Sequence, residues 1–518
     1  MVRTRDTVEA GNSLSVCLVS TSKSLVYSQD ADIAGGTTPF GVPVAPGEYT
    51  VSVSNFILDS TVYGAIAPAT ITVSSGSTLP VETRKGAYLV IKRFPKYLSF
   101  GAISDLSDLE GSAFVKAKAT SIFKYAGNDG TGDPRGYLSD DPATTKTIDV
   151  ANTIQLSLAF DTPVLPILIS YTCNLSLGDM KGQLDNASNH EHSFGNLILS
   201  LQIANEKAAS HSLQHSVPAG YIVNADFLGE TQKAAADAQR NFDENYKVDV
   251  RDPLQKALDH RGVNATVPDD ITEALKGYVQ ATNWLIRTVA PDVVFAWQVN
   301  LWGMGTAAWV YSTDPNSENP ASAAKKTAAW LRTVGAYGGA YQPDFLAIDR
   351  YEADDFTVRA YVNSYCYGPH EWNRFYDFVG AISLELQIPV TPWQILASRI
   401  PGKSETVADL EANHWGSGGT YLFSDPAIGN STKNINPKVL AIKPGGINPH
   451  PTVQDLFASA EPWDLSTPAN QDFPLRGIFT VLLGGGATTG IITAAGKTGP
   501  WTQDKVGAYM TNPIAFAT

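Results

Sequence analysis

The chain has 518 residues, 43% of them hydrophobic and 17% charged, which provides for a large core and for two or three domains, or one α/β barrel with a small companion. Its net charge of -14 argues against nucleic acid and anionic membrane as partners, because both select basic patches. No apolar run is long enough to span a bilayer, and Cys17, Cys173 and Cys366 stand at no metal-type spacing and allow at most one disulfide.

Residues 1–85 carry short alternating segments split by Gly, Pro and Ser: SLSVCLVS, GEYTVSVSNF and PATITVSSGSTLPVET. The pattern predicts a small antiparallel β-sandwich. PGEYTVSV resembles strands in the small β modules attached to secreted bacterial enzymes, which implies an accessory domain that binds carbohydrate or acts as a spacer.

From residue 86 to 518 apolar runs alternate with helical patterns. The runs are KYLSFGAIS, VLPILISYTCN, AGYIVNADFLG, DVVFAWQVNLWG, DFLAIDRYE, IPVTPWQIL, GTYLFSDP and IFTVLLGGG. They are nearly continuous in apolar residues, as strands buried on both faces are. Between them, FGNLILSLQIANEKAA puts Phe194, Leu197, Ile198, Leu201 and Ala204 on one helical face, and DDITEALKGYVQATNWLIRTVA starts behind an Asp N-cap. The alternation predicts a (β/α)8 TIM barrel following the β-sandwich. A doubly wound open sheet is the alternative, but its Gly-rich turn after the first strand is missing.

The active site of such a barrel lies at the strand ends. VLPILISYTCN ends in Tyr171 and Asn174, followed by a loop with Asp179, His190, Glu191 and His192. AGYIVNADFLG ends in Asn224, Asp226 and Glu230, and DVVFAWQVNLWG in Gln298, Asn300 and Trp302. DFLAIDRYE ends in Asp349, Arg350, Tyr351 and Glu352, IPVTPWQIL in Trp393 and Gln394, and GTYLFSDP in Ser424 and Asp425. Paired carboxylates suit acid/base cleavage of a glycosidic bond, amides hold hydroxyls, and indoles stack on sugar rings. Glu352 and Asp349 are therefore the candidate catalytic core, with Asp226 and Glu191 as candidate partners. Asn174, Asn224, Asn300, Trp302, Tyr351, Trp393, Gln394 and Asp425 are the candidate substrate contacts. A structural reading pairs Asp349 or Glu352 with Arg350. Asp354 and Asp355 read as solvated loop charges or a helix cap.

The apolar strand ending in I-D-R-Y-E, with W-Q ending the next, resembles secreted bacterial (β/α)8 glycoside hydrolases of the cellulase and chitinase kind. The spacing departs from the chitinase D-x-x-D-x-D-x-E by one residue, so that mechanism is not carried over. The resemblance implies a secreted hydrolase of a β-1,4-linked polysaccharide of the cellulose or chitin type with no cofactor, although MVRTRDTVEA has no signal-peptide pattern. Two other readings stay open. His190 and His192 in HEHSFGN would serve a metal-dependent hydrolase or deacetylase if a third ligand joined them. The other is a non-catalytic glycan-binding barrel that has kept the fold and lost the chemistry. The GKT near the C-terminus lacks the glycine a phosphate loop requires, and HWGSGGTY reads as a tight loop before a strand.

Overall fold

Eight parallel strands form the centre of the molecule: β1 (Ser99–Ile103), β2 (Ser121–Tyr125), β3 (Leu165–Ser170), β4 (Gly220–Val223), β5 (Val294–Asn300), β6 (Phe345–Asp349), β7 (Val390–Trp393) and β8 (Thr480–Leu483). The computed structural model describes residues 2–4, 13–32, 36–39, 41–104, 106–107, 111–127, 135–158, 164–173, 179–210, 219–314, 316–350, 353–363, 365–407, 414–485, 488–491 and 499–516. From β1 to β7 each strand pairs with the next in chain order, and β8 pairs with β1 from Ser99↔Thr480 to Ala102↔Leu483. Between β7 and β8 separate backbone bonds join the ring rather than a regular ladder. Val390 N donates to Gly477 O at 2.9 Å and Ile395 N to Leu482 O at 3.0 Å. The result is a nearly closed parallel barrel.

The strands form here because both of their faces are covered. LPILIS and VFAWQVN are buried at every position, which is why they read as unbroken apolar runs. Helices α1 (Pro142–Leu158), α2 (Ala187–Ser210), α3 (Phe227–Ala236), α4 (Arg251–His260), α5 (Leu275–Val289), α6 (Pro320–Thr333), α7 (Pro369–Leu386) and α8 (Gly418–Phe423) are among those that follow the strands. Helix α2 buries Phe194, Leu197, Ile198, Leu201 and Ala204, the face its spacing predicts.

Three expectations are corrected. Seven of the eight apolar runs hold a barrel strand, but GTYLFSDP does not: its first part is α8, a helix buried at all six positions. A short helix with no solvent face shows no periodicity that separates it from a buried strand. The second strand is SIFKY, whose Lys124 and Tyr125 interrupt the apolar run. The expected Asp N-cap of α5 is replaced by Ala274, and Glu273 instead accepts hydrogen bonds from Val250 N and Arg251 N at the start of α4.

Before the barrel, two small sheets share an apolar cluster separate from the barrel core. One contributes Leu14, Val16, Leu18 and Tyr49, the other Phe56, Leu79 and Val81. Among the described residues the pairings are antiparallel except that of Val2–Thr4 with the last strand, Leu79–Tyr88. This region lies against α7. A Cβ on Gly64 would fall 2.7 Å from Leu384 Cδ2, so glycine permits the close approach. Arg84 bonds Glu385 at 3.0 Å alongside it. The connection to β1 carries Phe94, which meets Phe479 and Phe345 edge-on at 4.8 and 6.1 Å and fills the end where the strands begin. The strands end at the opposite side.

Candidate functional site

At the strand ends, β4, β5 and β6 converge on one cavity. After β4 the chain turns through Asn224 and Asp226, both with positive φ, and Asp226 occupies the N-cap position of α3. The turn is held by Asp226 N, which donates to Gln298 Oε1 at 2.7 Å. Side chains alternate along β5. Trp297 faces the helices and donates to Asn283 on α5, while Gln298 and Asn300 face the barrel interior. In the β5–β6 ladder Asn300 stands opposite Asp349.

One amide joins the two acids. Asn300 Nδ2 donates to Asp226 Oδ1 at 2.9 Å and to Asp349 Oδ2 at 3.3 Å. An amide nitrogen has two hydrogens, so each carboxylate takes one and the orientation of Asn300 is set. Asn300 Oδ1 has no partner among the described residues and lies over Gly229 of α3, where a Cβ would approach it to 2.4 Å.

The acids line a cavity of about 440 Å³ together with Glu230, Lys233, Trp302, Arg350, Tyr365 and Tyr367. Asp226, Glu230 and Lys233 follow at helical spacing, so α3 turns one charged face toward it. Lys233 Nζ lies 5.6 Å from the centre of the Trp302 ring. Arg350 is held to the rear: its Nη2 donates to Tyr365 O at 2.6 Å and its guanidinium covers Tyr367 at 3.7 Å. The cavity therefore combines carboxylates, an amide, ammonium and guanidinium groups, and aromatic rings.

Asp354 and Asp355 are not solvated charges; both are fully buried. Asp355 pairs with Arg350 at 2.8 Å and accepts from Ser417 N at 2.7 Å, Ser417 Oγ at 2.6 Å and Tyr367 N at 3.0 Å. Asp354 accepts from Thr489 N at 3.0 Å and Thr489 Oγ1 at 2.7 Å, and His414 Nδ1 stands 2.9 Å from it. These bonds tie the segment after β6 to the approach to α8 and to the segment after β8. Among the described residues Arg350 thus forms an ion pair with Asp355, and Glu352 lies outside them.

The remaining candidates fall elsewhere. Glu352, Tyr351 and Asn174 lie outside the described residues. Asn224 is fully buried and supports the end of β3, accepting from Thr172 N at 2.6 Å and Cys173 N at 3.1 Å. Trp393 is buried against Phe123 inside the barrel, and Gln394 donates to the Tyr125 hydroxyl at 3.0 Å. Asp425 accepts from Ala427 N in a turn after α8. None of these four lines the acid cavity.

Glu191, His190 and His192 belong to α2, so HEHSFGN is not a loop. Glu191 accepts from the Tyr137 hydroxyl at 2.8 Å, and His192 packs edge-on against the same ring at 4.9 Å. His190 points into the core, with Nε2 2.9 Å from Leu184 O, and burial holds its pKa below the usual histidine value. The two imidazoles diverge, and no group of three or more His, Cys, Asp or Glu among the described residues could hold a metal. Cys17, Cys173 and Cys366 are free.

Lys233 and Tyr367 are cavity residues that inspection of strand ends does not reach. The helical spacing from Asp226 was the signal for Lys233. Tyr367 reaches the cavity through a loop and left no signal.

No family model matches the chain, and no curated protein matches it. Solved structures to which the chain shows similarity include a family 39 glycoside hydrolase from Bacteroides cellulosilyticus WH2, at 13% identity and TM-score 0.31, spanning 84% of this chain and 76% of that one. The intracellular xylanase TsXylA from Thermoanaerobacterium saccharolyticum matches at 8% identity and TM-score 0.31, over 60% and 76% of the two chains. A family 5 glycoside hydrolase from Bacteroides vulgatus matches at 8% identity and TM-score 0.25, over 61% and 54%. At this distance, the function has to be read from the cavity itself.

Proposed function

We propose that the chain hydrolyses a glycosidic bond, with Asp226 and Asp349 as its pair of catalytic carboxylates. The observation that carries this reading is the single amide that bonds both acids across a cavity at the strand ends. Glycoside cleavage needs one carboxyl group to protonate the leaving oxygen and a second to attack the sugar or activate water. Trp302 offers an apolar face to a sugar ring, and Glu230 and Lys233 can bond its hydroxyls. Both acid oxygens bond the same nitrogen, which favours the short separation, about 5 Å, of a retaining pair. Nuclear magnetic resonance of the first-formed product should therefore show the starting anomeric configuration. An inverted product would mean that the pair is wrongly chosen.

Asp226→Asn and Asp349→Asn should each lower turnover by a factor of roughly 10² or more while the melting temperature stays near that of the parent. Unchanged turnover in both variants would remove the assignment. Binding without turnover in the parent would favour a barrel that holds glycans and does not cleave them. A β-1,4-linked polymer of the cellulose or chitin type is carried over from the sequence resemblance and is tested by a polysaccharide panel. Export, and an accessory domain over residues 1–85 beside a catalytic one over 86–518, belong to the same proposal. The metal-dependent alternative finds no support in the diverging His190 and His192.

A further inference from the structure

Beside the acid cavity lies a second one of about 720 Å³, and Thr306, Tyr311 and Ile447 form walls of both. Helix α3 runs along the two: Asp226, Glu230 and Lys233 face the first, Gln232 and Ala236 the second. The second chamber is more apolar, with Glu318 and Lys326 as its charged residues. Met304, Trp309, Ala308 and Pro449 supply apolar surface. Most of its polar side chains bond within the protein, although Glu318 Oε1 is buried with no partner among the described residues. Trp309 Nε1 donates to Leu301 O at 3.1 Å, Gln232 Nε2 to Thr327 Oγ1 at 3.2 Å and Ser317 Oγ to Ser312 Oγ at 2.6 Å. Lys326 is paired with Glu318. A further sugar unit needs several free donors and acceptors around its hydroxyls, and most of these groups are engaged elsewhere. An apolar group needs only water-free surface.

We propose that the substrate is a glycoside with an apolar aglycone, whose sugar enters the acid cavity while the aglycone fills the adjoining chamber. This rests on the glycosidase reading above and replaces the unsubstituted polymer as the preferred substrate. The scissile bond then lies between the sugar site lined by Asp226 and Asp349 and the walls the two cavities share. The chamber is of the size that takes a drug-sized apolar molecule.

Binding decides the matter separately from catalysis. The full chain is titrated calorimetrically with matched methyl and n-hexyl glycosides across a panel of sugars, in both anomers. For at least one sugar the hexyl compound should bind about tenfold tighter or more, since each buried methylene adds to affinity. Ala236→Trp, which fills the chamber from the exposed end of α3, should abolish that preference and leave the methyl glycoside's affinity unchanged. Equal affinity for the two compounds with every sugar would overturn the proposal, as would a hexyl preference that survives Ala236→Trp. Tighter hexyl binding without turnover of any glycoside would uphold the chamber and count against the glycosidase reading instead.

Discussion

Asp349 and Asp355 leave the same strand end and meet opposite surroundings. Asp349 faces a cavity and shares the Asn300 amide, whereas Asp355 is sealed against Arg350, Ser417 and Tyr367. Removing the Asp355 carboxylate would take away a counter-charge that stands 2.8 Å from the buried Arg350 guanidinium. Asp355→Ala should therefore cost about 3–5 kcal/mol in urea denaturation. A loss under about 1 kcal/mol would show that the other contacts of Arg350, the aromatic faces and the Tyr365 carbonyl among them, suffice to hold the cation.

Glu371 gives a second prediction at this scale. Its carboxyl is buried and accepts from Gly368 N at 2.9 Å, and burial pushes its pKa up to about 8. The unfolded chain loses this proton near the ordinary value of 4.5. Between those values the folded state holds a proton that the unfolded state has released, so this contribution to stability is full below the window and declines as pH rises through it. Melting temperatures from about pH 5 to 9 should fall more steeply for the parent than for Glu371→Gln. Parallel curves would mean that the group is ionised in the folded protein.

At the scale of elements, α3 links the fold to the chemistry. Its spacing aims three charged side chains at one cavity, and Gly229 leaves room for the Asn300 amide. A Cβ there would also stand 3.0 Å from Trp302. Gly229→Ala should displace Asn300 and lower kcat by roughly tenfold or more, with a smaller effect on KM. An unchanged kcat would mean that the clasp of the two acids tolerates movement. Much of the barrel was legible in the sequence because parallel strands buried on both faces are written as apolar runs. SIFKY was not, since Lys124 and Tyr125 give it a polar end, and α8 looked like a strand because nothing in six buried residues marks a helical face. The acids at the ends of β4 and β6 were legible for the same reason as the strands. The burial of Asp354 and Asp355 was not, because their partners Ser417, Thr489 and His414 come from distant segments and burial of a charge depends on such partners.

At the scale of the whole molecule, the barrel has two unlike ends. One opens on the acid cavity, and the other is filled by Phe94, Phe345 and Phe479. Phe94 belongs to neither the small sheets nor the ring of strands, yet it completes the core of the latter. Phe94→Ala should destabilise the full chain by about 3–5 kcal/mol, the usual cost of emptying a buried aromatic site, as read from chemical denaturation. For anyone exchanging the front module, this stopper sets the splice point. A graft joined upstream of Phe94 inherits a corked barrel, whereas one that replaces the linker leaves the base open to water.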